Sequence, residues 1–491
     1  MILSAYVQAA KPDVIQVWVG LFGTVDPPPV NFRMNGMQAI PLEVPVIAAI
    51  HDQETDAAGK PLNHRGIFRF AVPQADTLYR IDIEAGSERY ELLTRSLPDA
   101  IPPKLDGSFN LLLCSCYYQP EDKDGLLGTI VAQIKIQPHL IVMAGDQVYL
   151  DLPSFEDLPE TDPEISQRLG KKYRRNWLST TLNIPGLEPV LARAPVVCIP
   201  DDHEFWNNYP FSQRQLPNTW SAEGRDLWAA AAKALYEDYQ GCLDAAGVLR
   251  IDIQPLKMLF VDMRCGRDRN RDRDESFHYL ARSDDTLAAI TRWVDDLTAA
   301  KADHQPAIGV LSSGQALFVD QPNESDGRNI DAEMSNYAEM DKVHEQLDRL
   351  ADAGIPVLYL TGDVHWGRVA TARDLQSDRT LMYEIISSPA RLFRTPLLDS
   401  AHEALNSLKS MFGNSDTWPR HSKPLKTPDR FGRNRRFALK SEFEQAGDHV
   451  AVVSFTQAGA GVEFQVSYYA IHKDKSIAQS RTTGNYRLLS I

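Results

Sequence analysis

VMAGDQVYLDLP, residues 142–153, is an apolar run that stops at Gly145-Asp146 and sets a carboxylate, an amide and a phenol beyond its tip. A buried strand has no structural need for Asp146 and Tyr149 at its end, so what matters is whether the construction recurs. It does. NLLLCSC (110–116) finishes on Cys114 and Cys116, and PVVCIPDDHE (195–204) on Asp201, Asp202, His203 and Glu204. KMLFVDMR (257–264) carries Asp262 and Arg264, with Arg267 just beyond, and IPVLYLTGDVHW (355–366) finishes on Asp363, His365 and Trp366. Helical patterns lie between these runs, and such alternation indicates an α/β domain whose function gathers where the strands end.

The helices have readable limits. GLLGTIVAQIKI (125–136) is short, amphipathic and stopped by Pro138. Residues 221–239 form a helix ended by Gly241, TLAAITRWVDDLTAA (286–300) takes Ser283 as N-cap, and AEMDKVHEQLDRLADAG (338–354) closes on Gly354. The tail, HVAVVSFTQAGAGVEFQVSYYAI (449–471), reads as antiparallel strands around a Gly-Ala-Gly turn. Residues 1–105 have another texture: IQVWVGLFG, IFRFAVP, LYRIDIEA and RYELLTRSL are short β-type runs divided by Pro, Gly, Asn and Asp. The expectation is an N-terminal antiparallel β-sandwich over 1–105, a linker near SLPDAIPPKLDG (96–107), and a catalytic domain over 106–491.

Size and composition exclude several classes. A chain of 491 residues exceeds one ordinary core, and 43% hydrophobic with 24% charged residues is globular. No uncharged apolar run of about 18 residues indicates a membrane span. No basic start and apolar leader opens the sequence, so a cytoplasmic location is the default, with secretion or a periplasmic location if a leader was removed. A net charge of −15 argues against an obligatory nucleic-acid partner. Five cysteines are too few for a disulfide scaffold and are expected as thiols. Of Cys114 and Cys116, at the end of one strand, one is expected in the core and the other at the strand-end cluster.

Oxygen and nitrogen ligands delivered from several strand ends make a metal site, and an excess of carboxylates over histidines suits two metals with a bridging carboxylate. A water bound there becomes hydroxide near neutral pH and attacks a phosphoryl or carbonyl centre. A single Gly-Asp after a strand is an ordinary turn, but two such ends followed by Tyr149 and His365 are not. Asp201 to Glu204, four consecutive ionisable residues after an apolar strand, need partners if buried. Asp262 and Arg264 read either as an ion pair or as a frame for an anion-binding guanidinium.

With SCYYQ (115–119), GDQVY (145–149), DDHEFWNN (201–208), VDMRCGR (261–267) and GDVHW (362–366) in this order, the chain resembles the PhoD-type alkaline phosphatases and phosphodiesterases. These belong to the calcineurin-like metallophosphoesterase superfamily. The resemblance spans about 109–390 and implies a four-layer αββα domain with a di- or multinuclear centre between two mixed sheets. It implies Cys116 as thiolate ligand, Asp146 as bridging carboxylate, Tyr149 as phenolate on Fe3+, and Asp202 or Asn208 reaching a second metal such as Ca2+. Asp363 and His365 complete the set; Mn2+ or Zn2+ are the alternatives. It further implies hydrolysis of a small-molecule phosphate ester, monoester or diester, with His203 at the leaving oxygen and Arg264 or Arg267 on the phosphoryl charge.

The sequence departs from that family in three ways. It has no twin-arginine signal, and SSGQALF (312–318) has no histidine where the superfamily often supplies one. The polar, basic insertion at 390–440 either caps the site or is a surface loop. Two other readings compete: a degenerate member of the fold serving as a binding or structural module, and a metallohydrolase acting on something other than a phosphate ester. The retained Asp146, His203, Asp363 and His365 speak against the first, and the forked guanidinium of an arginine against the second.

Overall fold

The computed structural model describes the chain except for residues 153–158, 214–215, 268–278, 320–333, 393–424, 460, 472–479 and 490–491. Most of the 390–440 insertion thus lies outside the described residues. The apolar runs form strands because each is buried on both faces, as strands covered by helices or another sheet must be. Phe109–Cys114, Leu140–Ala144 and Val196–Ile199 run parallel in one sheet, with Met143 facing Cys114 on one side and Cys198 on the other. Their carboxyl ends are therefore level, and the residues that follow emerge side by side. A second sheet repeats this with Leu256–Val261, Ile308–Ser312 and Val357–Thr361, also parallel and level.

The two sheets pack face to face over an apolar layer that includes Leu111, Val142, Val197, Phe260, Val310 and Leu360. Helices Leu126–Gln133, Asp162–Trp177 and Ala222–Tyr239 cover the outer face of the first sheet. Asp284–Ala302 and Met340–Asp352 cover the second. This is the expected αββα layering. The helix limits follow the sequence signals: the Ser221 side chain accepts from the Gly224 N–H, Ser283 and Thr286 form a reciprocal cap, and Gly354 adopts a positive φ. The tail pairs as the antiparallel strands His449–Ala458 and Gly461–Ala470, the former bordering Phe109–Cys114.

The N-terminal strands Ile2–Gln8, Val14–Phe22 and Asn63–Ala71 form an antiparallel meander, and a four-stranded sheet with Leu78–Ala85 and Glu88–Arg95 packs over it. The meander does not stand apart from the first sheet. Ile2–Gln8 joins the edge of Val196–Ile199 in parallel, through Gln8 opposite Val196 and the Ala9 N–H on the Val196 carbonyl at 2.9 Å. Its other face carries Tyr6 and Trp18, which donate to the carbonyls of Tyr239 and Asp238 at 2.6 and 2.7 Å. No helix among the described residues is long and apolar enough to cross a membrane.

Candidate metal centre

The level strand ends deliver their polar residues to one place because the backbone turns sharply there. Cys116, Asp146, Asn208, Asp363 and His365 all have φ between 52° and 63°, a region that side chains other than glycine seldom occupy and that clusters at functional sites. The two Gly-Asp motifs have a steric cause. A Cβ on Gly145 would lie 2.6 Å from the Asp201 Cβ, and one on Gly362 would lie 2.2 Å from the Ser115 Cβ. Only glycine lets these neighbouring strand ends approach so closely.

The convergence is tight. Asp146, Asp201, Asp202 and Asp363 each offer an oxygen within 4.8 Å of the others, and Cys116, Asp146 and His365 form a second such group. Asp146, Asp202 and His203 form a third, so Asp146 is common to all three. The Cys116 thiol donates to Asp146 Oδ2 at 3.3 Å and receives the Ser388 hydroxyl at 3.2 Å. The Tyr149 hydroxyl is 3.4 Å from His365 Nε2, and its ring stacks on that of His203 at 4.0 Å between centroids. Asn208 comes in through its backbone, donating to Asp202 Oδ2 at 2.6 Å.

The arginines differ. Arg264 lies 3.2 Å from both Asp201 Oδ1 and Asp202 Oδ2, while the Asp262 carboxylate accepts the backbone N–H groups of Arg264 and Cys265. Arg267 donates to the Met263 carbonyl and to Gln315 Oε1 at 2.6 Å, and Gln315 in turn donates to Asp363 at 3.3 Å. The segment 312–318, which lacks a histidine, therefore contributes an amide that ties Arg267 to Asp363.

Three residues support the centre, and two of them, Asp151 and Lys172, carry no recognisable sequence signal. Asp151 accepts from His203 Nδ1 at 2.7 Å and from the Asn207 N–H at 3.0 Å, fixing the imidazole. Lys172 donates to the carbonyls of Tyr149, Leu150 and Leu152, pinning the loop that holds Asp151. Glu204 accepts the N–H groups of Asp146, Gln147, Val148 and Asp201, and so links two strand ends. An Asp in a loop or a Lys on a helix reads as solvated surface until the fold brings its partner.

The electrostatics test whether a cation belongs here. Burial, with the carboxylates of Asp202 and Asp201 beside it, pushes Asp146 well above the usual carboxylate range although His203 opposes the shift. Burial and then Asp146 and Asp363 raise the Cys116 thiol; burial, Cys116 and Asp146 raise the Tyr149 phenol. Burial, with His203 near it, takes His365 down to about 4. Burial would lower His203 as well, but Asp151, Asp202 and Asp146 outweigh it and hold the ring protonated. Carboxylates, a thiol and a phenol crowded out of water repel one another once ionised, and a multivalent cation relieves this. The donor set fits a metal centre.

The PhoD-like phosphatase family model matches residues 111–410 of the chain. A solved chain described as the structure of PhoD superposes with a TM-score of 0.59 at 14% identity, covering 99% of this chain and 90% of that one. An amylomaltase from Corynebacterium glutamicum, at 12% identity over 72% of this chain and 44% of its own, reaches a TM-score of only 0.13, too low to bear on the fold. Comparison with curated protein sequences finds no match.

Proposed function

Because the chain belongs to the PhoD-like phosphatase family and is a phosphatase-type hydrolase, we propose that it cleaves phosphate monoesters, diesters or both at a multinuclear metal centre. The ligands are Cys116, Asp146, Tyr149, Asp202, Asn208, Asp363 and His365. The observation that carries this reading is Asp146, the one residue common to all three groups of potential ligands, as a bridging carboxylate would be. Metals in this set supply Lewis acidity and an activated water. A hard ferric ion would suit the phenolate of Tyr149 and the carboxylates, with Cys116 adding a thiolate, and Asp202 and Asn208 would offer oxygen to a calcium.

The protein groups have separate tasks. His203, held at Nδ1 by Asp151, keeps Nε2 for the leaving oxygen and delivers a proton there. Arg264 stands behind Asp201 and Asp202 and lends positive charge to the equatorial oxygens of the phosphoryl group as they gain charge. Arg267 steadies Asp363 through Gln315. Exclusion of water by the buried walls strengthens each of these interactions.

The test is hydrolysis of p-nitrophenyl phosphate and its bis ester by one sample, with and without chelator, beside Asp146→Ala. Turnover falling at least about a thousandfold in the variant and on chelation is expected, since Asp146 belongs to every group of potential ligands. Turnover that survives both would overturn the metal-centred mechanism. The ratio of the two rates separates monoesterase from diesterase. A binding module without chemistry would turn over neither ester.

A further inference from the structure

One helix face lies beside the centre, and only its Lys172 has a part there, through the loop that holds Asp151. Arg168, Lys171, Lys172 and Arg175 sit at i, i+3, i+4 and i+7 of helix Asp162–Trp177, a spacing that puts all four on one side. They line a cavity of about 370 Å³ together with Tyr118 and Tyr149. That volume is within the range of small-molecule sites. Cations on a helix are most often a solvated face with their stems laid over apolar surface. Here the four converge on a concavity in a chain of net charge −15, so the local field runs against that of the whole protein.

The position of the cavity relates it to the reaction. Tyr149 is shared: one side of its ring stacks on His203, and the residue also lines the cavity. Tyr118 meets Tyr149 edge-on at 5.6 Å. A substrate whose leaving oxygen rests at His203 therefore has the remainder of its leaving group beside this wall. Lys172 is committed to three carbonyls and burial takes its ammonium down to about 7, whereas Lys171 and Arg175 are exposed.

We propose that this cavity is a subsite for a second phosphate on the substrate, so that the preferred substrates are organic bisphosphates rather than simple monophosphates. The inference rests on the phosphatase reading above, with His203 at the leaving group. Guanidinium and ammonium groups grip the distal phosphate, and the tyrosines flank the body that joins it to the scissile ester.

The experiment compares adenosine 3′,5′-bisphosphate, adenosine 5′-monophosphate and p-nitrophenyl phosphate with the wild type and with Lys171→Gln/Arg175→Gln. The wild type should favour the bisphosphate over the monophosphate at least about tenfold in kcat/KM, as one well-held ionic group provides. The double variant should lose at least about ten times more on the bisphosphate than on p-nitrophenyl phosphate. No preference in the wild type, or equal losses on all three, would overturn the subsite. Calorimetric binding of the two adenosine phosphates to Asp146→Ala, with and without the double change, decides it independently of turnover. Tighter binding of the bisphosphate that needs Lys171 and Arg175 supports the subsite even if no ester is hydrolysed, whereas equal affinities overturn it even in an active phosphatase.

Discussion

Leu113, Val142 and Val197 form one row across the first sheet, all within the layer between the sheets. A few residues further along the same three strands lie Cys116, Asp146 and Asp201, and none of the six is more than 1% exposed. The two rows are equally dry and chemically opposite. The first needs nothing but its neighbours, each side chain contributing roughly 1.5–3 kcal/mol by leaving water. The second is costly to bury unless each group finds a partner. The difference teaches that strand ends in this sandwich are not fraying edges but sites held closed by Glu204, Arg264 and Asp151.

If the polar row exists for chemistry, its loss should appear in turnover and hardly in stability. His203→Ala should cost about 10²- to 10⁴-fold on alkyl phosphates, the usual contribution of a positioned general acid. It should cost far less on p-nitrophenyl phosphate, whose leaving group departs without a proton. Equal losses on the two substrates would break the assignment of His203 to the leaving oxygen. The apolar row should behave in the reverse way. Leu113→Ala, deep in the inter-sheet layer, should lower unfolding free energy by about 2–5 kcal/mol in denaturant titration. Activity per folded molecule should stay close to wild type; a large drop there would mean that the two rows are not separable.

The same contrast explains what could be read in advance. Apolar runs of four to six residues ending in Asp or Cys announce both the parallel strands and the candidate ligands, because strands buried on both faces are continuously apolar. Helix limits at Ser221, Ser283 and Gly354 are local chemistry and were equally legible. Partners made by register were not. Gln8 opposite Val196 joins chain segments about 190 residues apart, and no local pattern specifies an edge-to-edge pairing. Asp151 and Gln315 were hidden for the same reason: each acts on a residue about 50 positions away. Nor does VDMRCGR tell which arginine faces which carboxylate; the turn after Val261 commits Arg264 to Asp201 and Asp202 and sends Arg267 to Gln315.

Tyr149 belongs to both rows, and the smallest change that sharpens the comparison is made there. Its ring packs with Tyr118, Leu152 and Cys116 in a small apolar cluster, while its hydroxyl points to His365 at the centre. Tyr149→Phe keeps the ring and removes one oxygen. Because the hydrogen bond to His365 is long, at 3.4 Å, its loss should change stability by about 1 kcal/mol or less. If the phenol is bound to ferric iron, as we propose, the variant should lose the phenolate-to-iron absorption while its fold remains intact. An unchanged visible spectrum in iron-loaded protein would remove Tyr149 from the ligand set and return it to the apolar row. A bleached spectrum with unchanged stability would mark the boundary between the rows as running through one side chain, between ring and oxygen.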